Sequence, residues 1–153
     1  PHGLNDYGAY MTAEEYIHGV FLALPGDIII DSNAYLQVME LLSSGNADMA
    51  TTLSPLVNVA DTHPVAKVEG LQAIEYIAKA PSQLDPDHLR DLMIFASSPK
   101  LFHYMRLYPN PEGYLGNVVE KIVRNHHSLD ALLYESPWLH VGYPEDLLKP
   151  LPF

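Results

Sequence analysis

The apolar residues of this sequence follow two patterns, continuous runs and runs with a helical period. The stretch 20–30, VFLALPGDIII, is apolar throughout except for a Pro-Gly-Asp break. A run that is apolar on both faces is typical of a buried parallel strand. The stretch 32–46 instead places Tyr35, Val38 and Leu42 on one face of a helix, with Ser32 or Asn33 available to cap it. It predicts an amphipathic helix that ends at the Gly-Asn pair.

The same two patterns recur along the rest of the chain. Further strands are predicted at 47–57, 63–70, 71–81 and 91–98, with two short ones within 129–142. Further helices are predicted at 11–19, capped by Thr12, and at 99–108, 113–128 and 144–149. The two segments that meet at Glu69-Gly70 read as a hairpin. This order predicts one mixed, three-layer α/β domain over 1–153, in which ligands collect at the carboxyl ends of strands.

Composition and charge narrow the classes of partner. The chain has 153 residues, is 48% hydrophobic and carries a formal charge of −11 from 8 Lys+Arg and 19 Asp+Glu. That balance argues against binding to nucleic acid, and no apolar run approaches the roughly 18 residues of a membrane span. The lack of cysteine excludes disulfides and fits a cytoplasmic protein. Because the first residue is proline, we expect a processed product or a piece of a longer chain.

Judged by residue type alone, Asp27 is the strongest candidate for a functional residue. A charge inside an apolar run is costly to bury unless it is paired or binds a metal, and the preceding Pro25-Gly26 bend could expose it at a strand end. The alternative is that Pro-Gly-Asp is an ordinary turn between strands, where aspartate is common. Both interpretations stay open on the sequence.

Other candidate motifs are weaker. The eight histidines show no helical metal-ligand spacing, and His126-His127 is interpreted as structural at a helix C-terminus. Asp85-Pro86-Asp87 has the D-x-D form of a glycosyltransferase metal site, but the polar-loop interpretation is favoured because no apolar strand precedes it. The sequence contains neither a glycine-rich phosphate loop nor a G-x-S-x-G elbow.

Taken in order, four segments resemble the sugar-phosphate nucleotidyltransferases, the enzymes that make NDP-sugars. AEEYI and FLALPGDIII look like that family's helix and F-L-V-L-N-G-D strand, and ADMATTLSP looks like its A-x-x-T-L-A-L-x-P strand. WLHVGYPEDLL is similar to its W-x-D-x-G-T-P-E-D-L-L ending. The resemblance implies a three-layer Rossmann-like mixed sheet of the nucleotidyltransferase type. The family's G-G-x-G-T-R-L nucleotide loop is not in the sequence, so a partial domain is expected, without full activity on its own.

The resemblance also implies a site. Asp27, with Gly26 before it, matches the family's metal-binding G-D and would be the catalytic residue that holds Mg²⁺. His140 stands where the second metal carboxylate is expected, so Mg²⁺ affinity should fall because Mg²⁺ prefers oxygen ligands. Lys79 is expected to approach the sugar phosphate, and Asn117 replaces a family aspartate at a substrate-binding position.

Two functions follow from these matches and departures. In the first, the chain belongs to an enzyme that transfers a nucleotidyl group from an NTP to a sugar 1-phosphate, giving NDP-sugar and pyrophosphate. In the second, it is a catalytically degenerate homologue that binds a nucleotide sugar or partners an active subunit. His140, Pro64 in place of a family glycine and Lys79 in place of a glutamate favour the second. The resemblance allows a homo-oligomer without specifying one.

Overall fold

The computed structural model describes residues 6–55, 63–80, 83–110 and 113–149. Within these residues the main sheet has six strands in the order β1-β6-β3-β7-β5-β4, and β2 and β8 form a separate two-stranded sheet. The strands are β1 Phe21–Ala23, β2 Ile28–Ile29, β3 Met49–Ser54, β4 Val65–Glu69, β5 Gln72–Ile77, β6 Leu89–Ser97, β7 Leu129–Leu133 and β8 Leu139–His140.

The helices follow the amphipathic segments, with changes at the ends. They are α1 Asp6–Ala13, α2 Asn33–Ser44, α3 Lys100–Leu107 and α4 Leu115–Arg124, with 3-10 turns at Glu14–Tyr16 and Pro144–Leu148. None of the helices in the described part of the chain is long and apolar enough to cross a membrane.

Helices pack on both faces of the main sheet, which confirms the three-layer α/β prediction. On one face, Tyr7 of α1, Phe102 of α3 and Ile122 of α4 share a core with Met49 and Phe95 of the sheet. On the other face, the residues of α2 pack against Ala50 and Ile94 and their neighbours. Alternate residues of each strand point to opposite faces, so one strand supplies both cores.

The hairpin and α2 form as predicted. β4 and β5 pair antiparallel, and Gly70 between them has φ of +63°, a left-handed conformation that glycine adopts without strain. In α2, Val38 and Leu42 are buried, and Gly45 lies at the C-terminus. Neither Ser32 nor Asn33 caps this helix through its side chain; the Asp31 carboxylate accepts the Asn33 N–H at 2.8 Å instead.

Two sequence predictions about local structure are wrong. The run 20–30 is not a buried parallel strand: Gly26-Asp27 lies in a turn, β1 pairs antiparallel with β6, and β2 pairs antiparallel with β8. Among the strands that the structure describes, β3 and β7 are the pair that runs parallel. The first helix lies earlier than 11–19, and Thr12 donates its hydroxyl to the Gly8 carbonyl inside α1 rather than capping the helix.

Candidate functional site

A cleft of about 790 Å³ lies between α1, the start of α4, the 25–27 turn and the end of β5. Three of the residues expected to bind metal or substrate line it: Asp27, Lys79 and Asn117. They come from distant parts of the sequence, and the sheet topology brings them to one place. Their roles stay predictions, but their position around a common cavity is a property of the fold.

Asp27 and His140 contact each other because β2 and β8 are paired. Ile28 lies opposite His140 in the register, and the Val141 N–H donates to the Asp27 carbonyl at 2.7 Å. This places His140 Nε2 3.2 Å from Asp27 Oδ2, with the Asp27 side chain 52% exposed and that of His140 26% exposed. The ring of His63 packs edge-on against that of His140, with centroids 4.9 Å apart.

This donor set fits a divalent ion held by one carboxylate. Mg²⁺ commonly binds one or two carboxylates and completes its shell with water and substrate phosphate oxygens, and the exposed Asp27 carboxylate suits that arrangement. His140 contacts the same carboxylate, so the imidazole can orient Asp27 by hydrogen bonding as well as serve as a ligand. The predicted role of His140 in metal binding therefore stays a prediction.

Trp138 fixes β8 by packing and hydrogen bonding. Its indole N–H donates to Ser54 Oγ at 2.9 Å, and the Arg90 guanidinium lies 4.5 Å from its ring centroid. The side chain also packs against the α2 core. The strand that carries His140 is thus attached to the end of β3.

Lys79 and Asn117 reach the cleft from the two elements on its far side. Lys79 follows β5, whose end is fixed because the Ala78 N–H donates to Glu120 Oε2 of α4 at 3.0 Å. Asn117 lies in the first turn of α4, and its Oδ1 accepts the Tyr114 N–H at 3.0 Å. Its side-chain carbonyl thus caps the helix, which leaves the amide NH₂ as the group available to a ligand.

Gly26 and Gly116 differ in the space available for a side chain. A Cβ built at Gly26 would meet nothing within 4 Å, so the space around that position does not require glycine, and its substrate-binding role stays a prediction. A Cβ at Gly116 would lie 3.3 Å from Pro64 Cγ, so glycine lets α4 approach the start of β4 closely. Both Gly116 and Pro64 line the cleft.

The chain supplies its own carboxylate to the start of α4. Asp6 Oδ2 accepts the Leu115 N–H at 2.9 Å, and its other oxygen accepts the Tyr7 N–H at 2.8 Å. A negative charge is favourable at a helix N-terminus, where N–H groups lack intrahelical partners. Sequence reasoning missed this contact because 109 positions separate its two residues.

A second group that sequence reasoning did not identify as part of a site surrounds Asp91. Its carboxylate is fully buried and accepts hydrogen bonds from Thr51 Oγ1 at 2.7 Å, Tyr76 Oη at 2.6 Å and the Met93 N–H at 2.7 Å. Burial raises the pKa of Asp91 to about 6, although the hydrogen bonds from Tyr76, Thr51 and Met93 act in the opposite direction.

The Asp85-Pro86-Asp87 motif surrounds a lysine. Together with His88, the two aspartates form a group close enough to hold a metal ion. The Lys67 ammonium, however, lies 2.5 Å from Asp85, 3.4 Å from Asp87 and 3.7 Å from Glu75. Hydrogen bonding to Asp85 raises the pKa of Lys67, and the same contact lowers the pKa of Asp85. The ammonium supplies the positive charge, in agreement with the polar-loop interpretation.

Comparisons with known proteins match the fold and not the sequence. No family model and no curated protein sequence matches the chain. Among solved structures, the inositol-1-phosphate CTP transferase of T. maritima aligns with a TM-score of 0.73 and 15% identity over 94% of this chain. A UDP-glucose pyrophosphorylase from Acinetobacter baumannii aligns at 0.74 and 16% over 97%. A UDP-glucose pyrophosphorylase complexed with UDP-glucose aligns at 0.76 and 15% over 94%.

These alignments cover 58%, 55% and 59% of the three solved chains, so this chain spans little more than half of their length. That share agrees with the partial domain that the sequence resemblance implied. The resemblance is confirmed at the level of the fold: the chain has the Rossmann-like α/β fold of the sugar-phosphate nucleotidyltransferases.

Proposed function

We propose that the cleft is the sugar-phosphate side of a nucleotidyltransferase site, in a protein that makes an NDP-sugar and pyrophosphate from an NTP and a sugar 1-phosphate. The observation that carries this proposal is the placement of Asp27, Lys79 and Asn117 around one cleft in a fold shared with such enzymes. The cavity of about 790 Å³ is within the size range of small-molecule sites.

The chemistry asks little covalent work of the protein. A sugar-phosphate oxygen attacks the α-phosphorus of the NTP, and the bond to pyrophosphate breaks. The protein must align the two anions and offset their charge. The Lys79 ammonium would attract the sugar phosphate, and the Asn117 NH₂ group would donate to a ligand oxygen. Asp27 would hold Mg²⁺, which when bound would offset the negative charge of the phosphates.

A titration of the 153-residue chain tests the binding part of the proposal. UDP-glucose and glucose 1-phosphate are added with and without Mg²⁺, and heat is measured by calorimetry. Lys79→Met should weaken binding about tenfold or more, since it removes a charged contact to phosphate. Lys121→Met is the matched control, because Lys121 is an exposed lysine of α4 outside the cleft. Equal affinities of the two variants would contradict the proposal.

The metal part is tested with a second matched pair. Asp27→Asn should remove the effect of Mg²⁺ on UDP-glucose affinity, because an amide carries no charge to hold the ion. Glu15→Gln removes the same charge at an exposed position outside the cleft and should leave the Mg²⁺ effect unchanged. If Mg²⁺ still changes the affinity of Asp27→Asn, residues other than Asp27 bind the metal.

A second function, binding of a nucleotide sugar without catalysis, is favoured by the contacts already made in the cleft. His140 contacts the Asp27 carboxylate, and Asp6 accepts the Leu115 N–H that a phosphate could otherwise use. Pyrophosphate release from NTP and sugar 1-phosphate, measured on the native gene product, separates the two functions. Tight binding of UDP-glucose, unaffected by metal and without pyrophosphate release, would support the binding function and exclude the transferase.

A further inference from the structure

Asp91 connects segments that line the cleft, although it is buried. Its own N–H donates to the Pro64 carbonyl at 2.9 Å, and its carboxylate accepts the Met93 N–H. Pro64 and Met93 both line the cleft, and we call these two residues the cleft floor. Tyr76, the third partner, also lies 3.7 Å from Met93 Sδ through its hydroxyl. The backbone of Asp91 therefore holds Pro64, as any residue with an N–H would, whereas its carboxylate holds Met93 and Tyr76.

The backbone at Met93 needs such support. Met93 has φ of +58°, a left-handed conformation in which a side chain is strained, at a cost of about 1–3 kcal/mol for an unusual backbone conformation. The neighbouring β3–β6 register is irregular between Thr51 and Leu53, so the ladder does not fix Met93 in the ordinary way. The Asp91 side chain accepts the Met93 N–H and thereby helps to hold this backbone conformation.

Burying a carboxylate in an apolar core costs free energy of desolvation. Apolar residues fill much of this face of the sheet, and an ionised group buried there loses hydration that hydrogen bonds restore only in part. Such groups persist where they hold a required geometry. In this chain, the carboxylate accepts the N–H of Met93, a residue that lines the cleft.

We propose that Asp91 is a positioning residue that sets the cleft floor through Thr51, Tyr76 and the Met93 N–H, and that ligand affinity in the cleft depends on it. The identity of the ligand rests on the proposed function, whereas the position of the floor does not. Asp91 itself touches no ligand in this account, because its side chain is fully buried.

The test compares Asp91→Asn with Thr52→Val in protein carrying ¹³C-methyl methionine. Thr52 lies next to Thr51 and is equally buried, but its Oγ1 has no hydrogen-bond partner among the described residues. The Met93 methyl resonance, assigned with Met93→Leu, reports the floor without any ligand. UDP-glucose affinity is then measured by calorimetry on the same samples. Thr51→Val, which removes one donor and keeps the carboxylate, replaces Asp91→Asn if the latter does not fold.

The proposal predicts that the Met93 resonance moves in Asp91→Asn and stays in place in Thr52→Val, and that affinity falls about tenfold or more only in the first. Loss of thermal stability with an unmoved Met93 resonance would show a purely structural role and overturn the proposal. A moved resonance with unchanged affinity would overturn it as well. If wild-type protein binds no UDP-glucose while the resonance still moves, the control of the floor by Asp91 stands and the proposed function fails.

Discussion

Asp91 and Asp27 are two carboxylates near the same cleft with different surroundings. Asp91 is fully buried and accepts three hydrogen bonds from its own chain, whereas Asp27 lies at the rim with about half of its side chain exposed. The buried group has its acceptor positions filled by Thr51, Tyr76 and Met93. The rim group keeps an exposed oxygen that a metal or ligand can reach. Under the two proposals made above, burial thus separates a carboxylate that shapes the cleft from one that acts in it.

The sharpest test of this comparison replaces each aspartate by alanine. Asp91→Ala should lower the free energy of unfolding by about 4 kcal/mol, because it leaves buried donors without an acceptor. Asp27→Ala should lower it by less than about 1 kcal/mol, since its partner contact is partly exposed. Urea denaturation of both variants measures the difference. Similar losses would mean that the two carboxylates do not differ in this way.

The next largest effect should be the pH dependence of the free energy of unfolding. The pKa of Asp91 is raised to about 6 in the folded state, so between pH 4 and 6 the folded protein binds more protons than the unfolded chain. The stability contributed by Asp91 is therefore complete below about pH 4 and is lost as pH rises to about 6, by about 3 kcal/mol in total.

Asp91→Asn lacks this titration. The free energy of unfolding of wild type minus that of Asp91→Asn should fall between pH 4 and pH 7 and then stay level. A difference that rises with pH over that interval would show that the pKa of Asp91 is lowered by its surroundings instead of raised.

A smaller effect is expected at the neighbouring threonines. Thr51→Val removes a hydrogen bond to a buried carboxylate and should lower the free energy of unfolding by about 2 kcal/mol. Thr52→Val removes a buried hydroxyl that has no partner in the described part of the chain, and should be neutral or stabilising by about 1 kcal/mol. Thermal melts of the two variants give the comparison, and an equal loss in both would remove the distinction.

The smallest change in stability is expected at the rim. His140→Asp places a second carboxylate beside Asp27 and should change the free energy of unfolding by about 0.5 kcal/mol or less without metal. Its Mg²⁺ affinity should rise, because two carboxylates suit this ion better than a carboxylate and an imidazole. The shift of Tm on adding Mg²⁺ measures this. An unchanged shift would mean that His140 does not lie at the metal position.

Features set by neighbouring residues could be predicted from the sequence. The period of 32–46 predicted α2, and Glu69-Gly70 predicted the β4–β5 turn. The pairing of the run 20–30 could not be predicted, because a continuous apolar run is compatible with parallel and antiparallel neighbours alike.

The candidate site divides in the same way. The proximity of Asp27 and His140 followed from the family resemblance, in which both positions are metal ligands. The Asp91 network could not be predicted, since two of its three partners lie 40 and 15 positions away and a buried aspartate looks like any other in a sequence. The outlying φ of Met93 likewise comes from tertiary packing and not from the preference of methionine.

The Asp6 carboxylate occupies a backbone N–H at the start of α4 that a bound ligand could otherwise contact. A ligand phosphate could take the Leu115 N–H only by displacing the Asp6 carboxylate, which the fold holds against it. The measured free energy of binding at this end of the cleft is thus the difference between the ligand's interaction with this N–H and that of Asp6. A ligand that displaces Asp6 breaks the contact between α1 and α4, so occupancy of the cleft would be readable as a changed exchange rate of the Leu115 amide.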